Sequence, residues 1–398
     1  MIPPAYPYHP EPIPSRDFMP CAARPDTSVT RFRAWFSCFI SLAFLLTMIP
    51  ASEAQTDSSA SAPLEEEIVF ATDGVTLAGT ITLPGTGTPR CACVMLTGSG
   101  AQSRDNTIGG FATFRVLARA LALDGIATLR WDDRGVGGSQ GKMSDATLET
   151  FASDALVARA LLAARFPGVP TGILGHSEGG AVALLAAARD PRVPFLILLA
   201  GPIAPVRENV LAQTELIHRA NGLPETQIAR EVSLLRRIFE TLAAGLPFEV
   251  VRPDFRVKAA ADIAEMPAAM RRALTDVDAH ADLLFTQQKA MMDTPWFRSL
   301  AAFDPSRLLP LVSCPLLALF GDRDLQVPAV LNAPLLTDTA GFCADARTTV
   351  RTLPSANHLF QRARSGAPSE YRTLKSEFVA GLSGELVRWL DQFITPAD

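Results

Sequence analysis

The sequence predicts an α/β fold: a mostly parallel central sheet with helices on both faces and an inserted block of helices. Three observations predict it. Between 91 and 200, short apolar runs of strand length alternate with longer segments carrying apolar residues at helical spacing. Those strand runs are apolar on both faces, as parallel strands covered on both sides must be. The alternation then stops over 202–310, where amphipathic helices are read without a convincing strand, and resumes at 316.

Runs 67–70 and 76–83 read as two strands joined through Asp73-Gly74, a strong hairpin turn pair. The Pro/Gly-rich stretch 84–89 is a surface loop. Strand 91–96, helix 111–123, strand 126–131 and helix 145–164 follow. Next come a short strand ending at Leu174, an Ala/Leu-rich helix starting near Gly180, and an apolar strand at 195–200. The helical block holds helices at 210–221, 226–245 and 259–292. Strands 316–321 and 348–353 and a terminal helix at 376–393 complete the chain. The mature chain thus divides into a first core part (66–201), a helical insertion (202–310) expected to cap the active-site edge, and a second core part (311–398).

The first 54 residues stand outside the fold. Residues 1–30 are Pro-rich, polar and aperiodic, and Met19 is a plausible true start. Arg31 and Arg33 then precede an apolar run at 34–49, Pro50 and Ala51-Ser52-Glu53-Ala54. A basic region, an apolar stretch and small residues before a cut describe a cleavable signal peptide, with cleavage expected before Gln55. The run is short for a bilayer span. A secreted or periplasmic protein with no stable membrane insertion is expected, tethered through the Ser/Ala-rich 55–65. Cys21 and Cys38 fall in the leader; Cys91, Cys93, Cys314 and Cys343 remain in a compartment that permits disulfides. Cys314 and Cys343 either pair or stay as buried thiols.

With 398 residues and 48% hydrophobic content, the chain is long enough for one large core or two smaller ones. A net charge of −5 leaves no basic footprint for nucleic acid. No metal-ligand spacing is present, and no cofactor is expected.

The chemistry centres on Gly175-His176-Ser177-Glu178-Gly179, set between an apolar strand and a strong helix former. A serine on such a sharp turn is lifted clear of the backbone at the positive end of a helix, and side chains at the flanking glycines would crowd the turn. A serine hydroxyl needs a base within reach and a carboxylate to orient that base. Of the five histidines, His9 is lost with the leader and His176 points the wrong way from the elbow. His218 and His280 lie in amphipathic helices of the insertion and are expected to be solvated. His358 remains, in the loop after the last strand, where α/β sheets place their chemistry. For the acid, Gly321-Asp322-Arg323-Asp324 offers two carboxylates; Asp324 is preferred over Asp322 because its turn carries it past the strand end.

An oxyanion hole needs two backbone donors. Glu178 N–H is one, and Ser99 N–H, with Gly100 close behind, is the other, in Thr97-Gly98-Ser99-Gly100-Ala101. The Glu178 carboxylate is expected to complement the helix N-terminus. Asp132-Asp133-Arg134-Gly135 holds paired carboxylates that could do acid–base work, but its place at a strand end favours a structural turn bracing the oxyanion loop. Trp296 and Phe297 either line an acyl pocket or belong to the core of the cap.

These residues resemble the α/β-hydrolase superfamily over nearly all of the mature chain, and more narrowly capped bacterial hydrolases of the esterase and acylaminoacyl-peptidase-like kind. Gly98-Ser99-Gly100, Arg104-Asp105, the stretch from Trp131 to Gly137, and the serine motif carry the resemblance. Leu199-Ala200-Gly201-Pro202, Phe303-Asp304-Pro305, the Asp324 turn and Asn357-His358-Leu359-Phe360 complete it. Thr97 departs from the histidine many members carry there, and Ala101 from an expected proline. The resemblance implies the α/β-hydrolase fold, a triad in the order Ser177, Asp324, His358, and a small-molecule ester substrate. An N-terminal or acylaminoacyl peptidase is the alternative, and a non-catalytic binding protein on the same scaffold is a third reading that the complete triad opposes.

Overall fold

The structure is a computed structural model that describes residues 62–271, 276–337 and 348–392. The leader, Cys343 and the end of the chain after 392 lie outside the described residues.

Strands β1 (Leu64–Thr72) and β2 (Val75–Leu83) pair antiparallel through Asp73 and Gly74, both with positive φ, as a two-residue hairpin turn requires. Strand β3 (Cys91–Leu96) follows, then β4 (Thr107–Ile108) and β5 (Phe111–Ala112), a two-rung hairpin turning on Gly109 and Gly110. That hairpin takes the first two residues expected to be helical, so α1 spans Thr113–Leu123. Next come β6 (Ile126–Trp131), α2 (Leu148–Arg165), β7 (Thr171–His176), α3 (Glu178–Arg189) and β8 (Leu196–Leu199). Thr147 and Thr150 form a reciprocal cap at the start of α2, which sets its N-terminus beyond the expected Asp145.

The helical insertion follows: α4 (Val206–Ala220), α5 (Glu225–Ala243), α6 (Arg252–Glu265), α7 (Ala268–Arg271), α8 (Val277–Met292) and α9 (Pro295–Ala301). The single helix expected over 259–292 is broken at Pro267, whose ring cannot continue a helix begun before it. A fresh helix is then capped by the Asp276 carboxylate. Strand β9 (Leu316–Gly321), α10 (Ala329–Thr337), β10 (Thr348–Leu353) and α11 (Leu382–Leu390) close the fold. The terminal helix is shorter than expected, starting after Gly381, which sits in the left-handed region.

The eight-stranded sheet runs β1-β2-β6-β3-β7-β8-β9-β10, with β2 antiparallel to its neighbours and the six strands from β6 to β10 parallel. From β3 the chain crosses to β6 on one side, then back to β7 on the other. Right-handed crossovers in opposite directions put α1 and α2 on opposite faces. Strands β3, β6, β7, β8 and β9 are wholly buried. Phe114 and Leu117 of α1 and Leu386 and Trp389 of α11 share one cluster with Met95, Leu174 and Leu317. The edge strand β10 is only half-buried, in keeping with its place at the end of the sheet. Among the described residues no helix is long and apolar enough to cross a membrane.

Candidate active site

The parallel strands end along one edge of the sheet, and the segments following β3, β7, β9 and β10 carry Ser99, Ser177, Asp324 and His358. Ser177 links β7 to α3 with φ 55° and ψ −125°, a conformation that non-glycine residues avoid and that the surroundings must enforce. The flanking glycines make that enforcement possible. A Cβ on Gly175 would lie 2.1 Å from the Gly179 carbonyl oxygen, and one on Gly179 would lie 2.3 Å from that of Leu96. Helix α3 therefore starts hard against the end of β3. A Cβ on Gly98 would lie 3.2 Å from the Ser177 Cβ, so the loop after β3 opens beside the nucleophilic candidate.

Asp324 follows β9. Its Oδ1 accepts the backbone N–H groups of Gln326 (2.8 Å) and Val327 (3.0 Å), and its Oδ2 lies 2.9 Å from His358 Nδ1. Both side chains are buried. A carboxylate with one oxygen saturated by backbone donors is fixed in direction, so the other oxygen fixes the imidazole with Nδ1 protonated and Nε2 free to accept. Asp322 is exposed on the same turn. Gly321 lets the histidine loop close over the strand end, since a Cβ there would lie 2.2 Å from the Ala356 oxygen.

His176 has a role the sequence reading missed. It is buried, its Nε2 donates to the His358 carbonyl at 2.9 Å, and the two rings lie 4.8 Å apart. Asn106 Nδ2 approaches its other nitrogen at 3.4 Å. Burial, with His358 beside it, lowers its pKa to about 3. It is thus a neutral strut between the elbow and the histidine loop. The available signal was a polar ring closing a fully apolar strand, which must find a partner.

The Asp132–Gly135 turn braces the loop after β3. The Asp133 carboxylate accepts Thr97 Oγ1 (2.9 Å) and Gln102 N–H (2.8 Å), while Asp132 takes Arg104 and Arg134 pairs with Asp154. Glu178 opens α3, the helix end its carboxyl is expected to complement, and there the carboxyl has specific partners. It is buried and accepts the Trp296 indole N–H at 3.0 Å, with the Ser99 hydroxyl beside it. Trp296 therefore reaches the elbow, whereas Phe297 stacks on Phe239 inside the insertion at 6.2 Å. His218 and His280 are corrected, since both are buried between the helices of the insertion rather than solvated. Burial and nearby Lys258 lower the pKa of His218. Cys91, Cys93 and Cys314 are buried thiols.

A family model described as serine aminopeptidase S33 matches residues 110–327, more than half of the chain. The chain belongs to this family. It sits within the α/β-hydrolase superfamily, and its fold is that of the superfamily. Esterase EstD of Thermotoga maritima is 26% identical over 320 residues, which cover 79% of this chain. The match spans 65% of that relative's length. Among solved structures, an esterase of Pyrococcus furiosus is similar over 89% of this chain and 100% of its own, at 13% identity and a TM-score of 0.49. A proline iminopeptidase of Mycobacterium smegmatis is similar over 84% and 100%, at 19% identity and 0.48.

Proposed function

We propose that this member of the family is an exported serine hydrolase that cleaves carboxylic esters. Ser177 Oγ attacks the ester carbonyl while His358 Nε2 takes its proton, and Asp324 stabilises the imidazolium that forms. Backbone N–H groups of Glu178 and Ser99, with Gly100 adjacent, receive the charge that develops on the carbonyl oxygen. His358 returns the proton to the leaving alcohol. Water then attacks the acyl-enzyme by the same route in reverse and frees the acid and Ser177. The observation that carries this reading is the 2.9 Å contact between buried Asp324 and His358, taken with the positive φ at which the turn after β7 holds Ser177.

The family's description favours a second reading, release of N-terminal residues from peptides. Purified residues 55–398 assayed on p-nitrophenyl esters and aminoacyl-p-nitroanilides separate the two. Faster ester turnover is expected, lost in Ser177→Ala, and an anilide preference would establish the peptidase. Export rests on the pattern of residues 31–54. The secreted protein should begin near Gln55 by intact mass, and a mass retaining 31–54 would mean an anchored protein.

A further inference from the structure

The loop at 97–102 meets two carboxyl groups, half-buried Asp133 and buried Glu178. Asp133 takes the Thr97 hydroxyl and the Gln102 N–H, and Gln102 Nε2 in turn donates to the Ser99 carbonyl at 3.2 Å. The Glu178 carboxyl accepts the Trp296 indole, with Nε1 at 3.0 and 3.2 Å from its two oxygens, and the Ser99 hydroxyl lies beside it. Glu178 and Ser99 are the two residues whose backbone N–H groups form the oxyanion hole in the reading above. One side chain therefore lies between the two donors. A third residue, from α9 of the insertion, fixes the direction of that side chain.

Burying a carboxyl costs several kcal/mol, which alanine at the same place would avoid. We propose that the Glu178 side chain is a positioning residue that sets the spacing of the two oxyanion donors, with Trp296 holding its rotamer. This rests on the serine-hydrolase reading. The arrangement survives a change of protonation, because a protonated carboxyl can donate to the Ser99 oxygen and still accept from the indole. Burial pushes Glu178 up to about 7 and Asp133, with Glu178 and Asp132 nearby, up to about 8. Arg134 and Asp154 line a cavity together with Asp133 and Glu178, but satisfy each other at 2.7 and 2.8 Å.

The test is the second-order rate at which a fluorophosphonate probe labels Ser177, with kcat and KM on p-nitrophenyl acetate and a melting curve for each protein. Misplacing one donor should cost somewhat less than deleting it, about 10–100-fold. Glu178→Ala should slow labelling and kcat by that factor with KM within about threefold of wild type. Glu178→Gln, whose amide can accept from the indole and donate to Ser99, should restore most of the rate. Trp296→Phe should fall between the two. A purely packing role predicts lower melting with labelling unchanged in the folded fraction, and that result overturns the proposal. So does a Gln variant as slow as the Ala variant. If Glu178→Ala does not fold, Trp296→Phe decides, and a wild-type rate for it overturns the proposal. A wild-type protein that the probe fails to label removes the serine reading and this one with it. A labelled wild type with unaffected variants removes this one alone.

Discussion

At the scale of single residues, polar atoms of the candidate site are aimed by other polar atoms. Asp324 illustrates this: two backbone donors hold one oxygen, so the second has one direction available, towards His358. Asp324→Asn would present an amide in that direction and favour the wrong imidazole tautomer. Ester turnover should drop by roughly 10⁴-fold. Exposed Asp322→Asn should stay within about twofold of wild type, measured side by side on the same ester. Asp133 offers a second test, of stability. Its carboxyl is pushed up to about 8 by burial, so the native state binds this proton more tightly than the unfolded chain does. Its contribution is fully present below the ordinary carboxylate range and is lost as pH rises towards 8. His176, lowered to about 3, acts oppositely: its contribution is full above 6.5 and is lost as pH falls towards 3. Between pH 6.5 and 8, therefore, the urea midpoint of wild type should fall more steeply than that of Asp133→Asn. Parallel slopes would show that Asp133 does not hold its proton.

At the scale of elements, the close approach of α3 to β3 is what places the serine beside the loop at Gly98. Gly179→Ala would put a methyl 2.3 Å from the Leu96 oxygen and 2.4 Å from that of Thr97, both backbone atoms that cannot step aside. A loss of about 3 kcal/mol or more is expected, with slower probe labelling in whatever folds. Melting curves and labelling together check this, and a variant as stable as wild type would mean the two elements separate freely. The elements themselves were largely legible. Strands β3, β6, β9 and β10 coincide with the expected runs because their flanks carry turn residues that end a strand sharply. The misread helices failed where a local signal competed with periodicity: Pro267 inside an amphipathic pattern, Gly381 inside the terminal one, and the paired Gly109-Gly110 before α1.

At the scale of the whole molecule, the insertion is pinned to the core at its first residues. Asn332 of α10 is fully buried; its Oδ1 accepts from Ile203 and Ala204, and its Nδ2 donates to Asn209 and to the Pro328 carbonyl. One side chain thereby joins the exit from β8, the first helix of the insertion and the segment following the Asp324 turn. Asn332→Ala strands buried donors and acceptors on three segments. It should cost about 2–4 kcal/mol in chemical denaturation. An unchanged midpoint would show that the insertion is held by its apolar contacts alone.

The sequence by itself determined the sheet, the order of its elements and the identities of Ser177, Asp324 and His358 as the residues to watch. Strand periodicity, turn residues and the scarcity of histidines are local properties, and a local pattern can be read without knowing what packs against it. The tertiary structure alone decided the rest. His218 and His280 are buried because neighbouring helices cover the face the amphipathic pattern assigned to solvent. His176 became a strut because the loop of His358 closes over it from 182 positions away in the chain. Glu178 turned inward because Ser99 and Trp296 arrive from two other elements to meet its carboxyl. Such partners lie far apart in sequence, and a polar side chain takes the direction of whichever donor the folded chain brings to it.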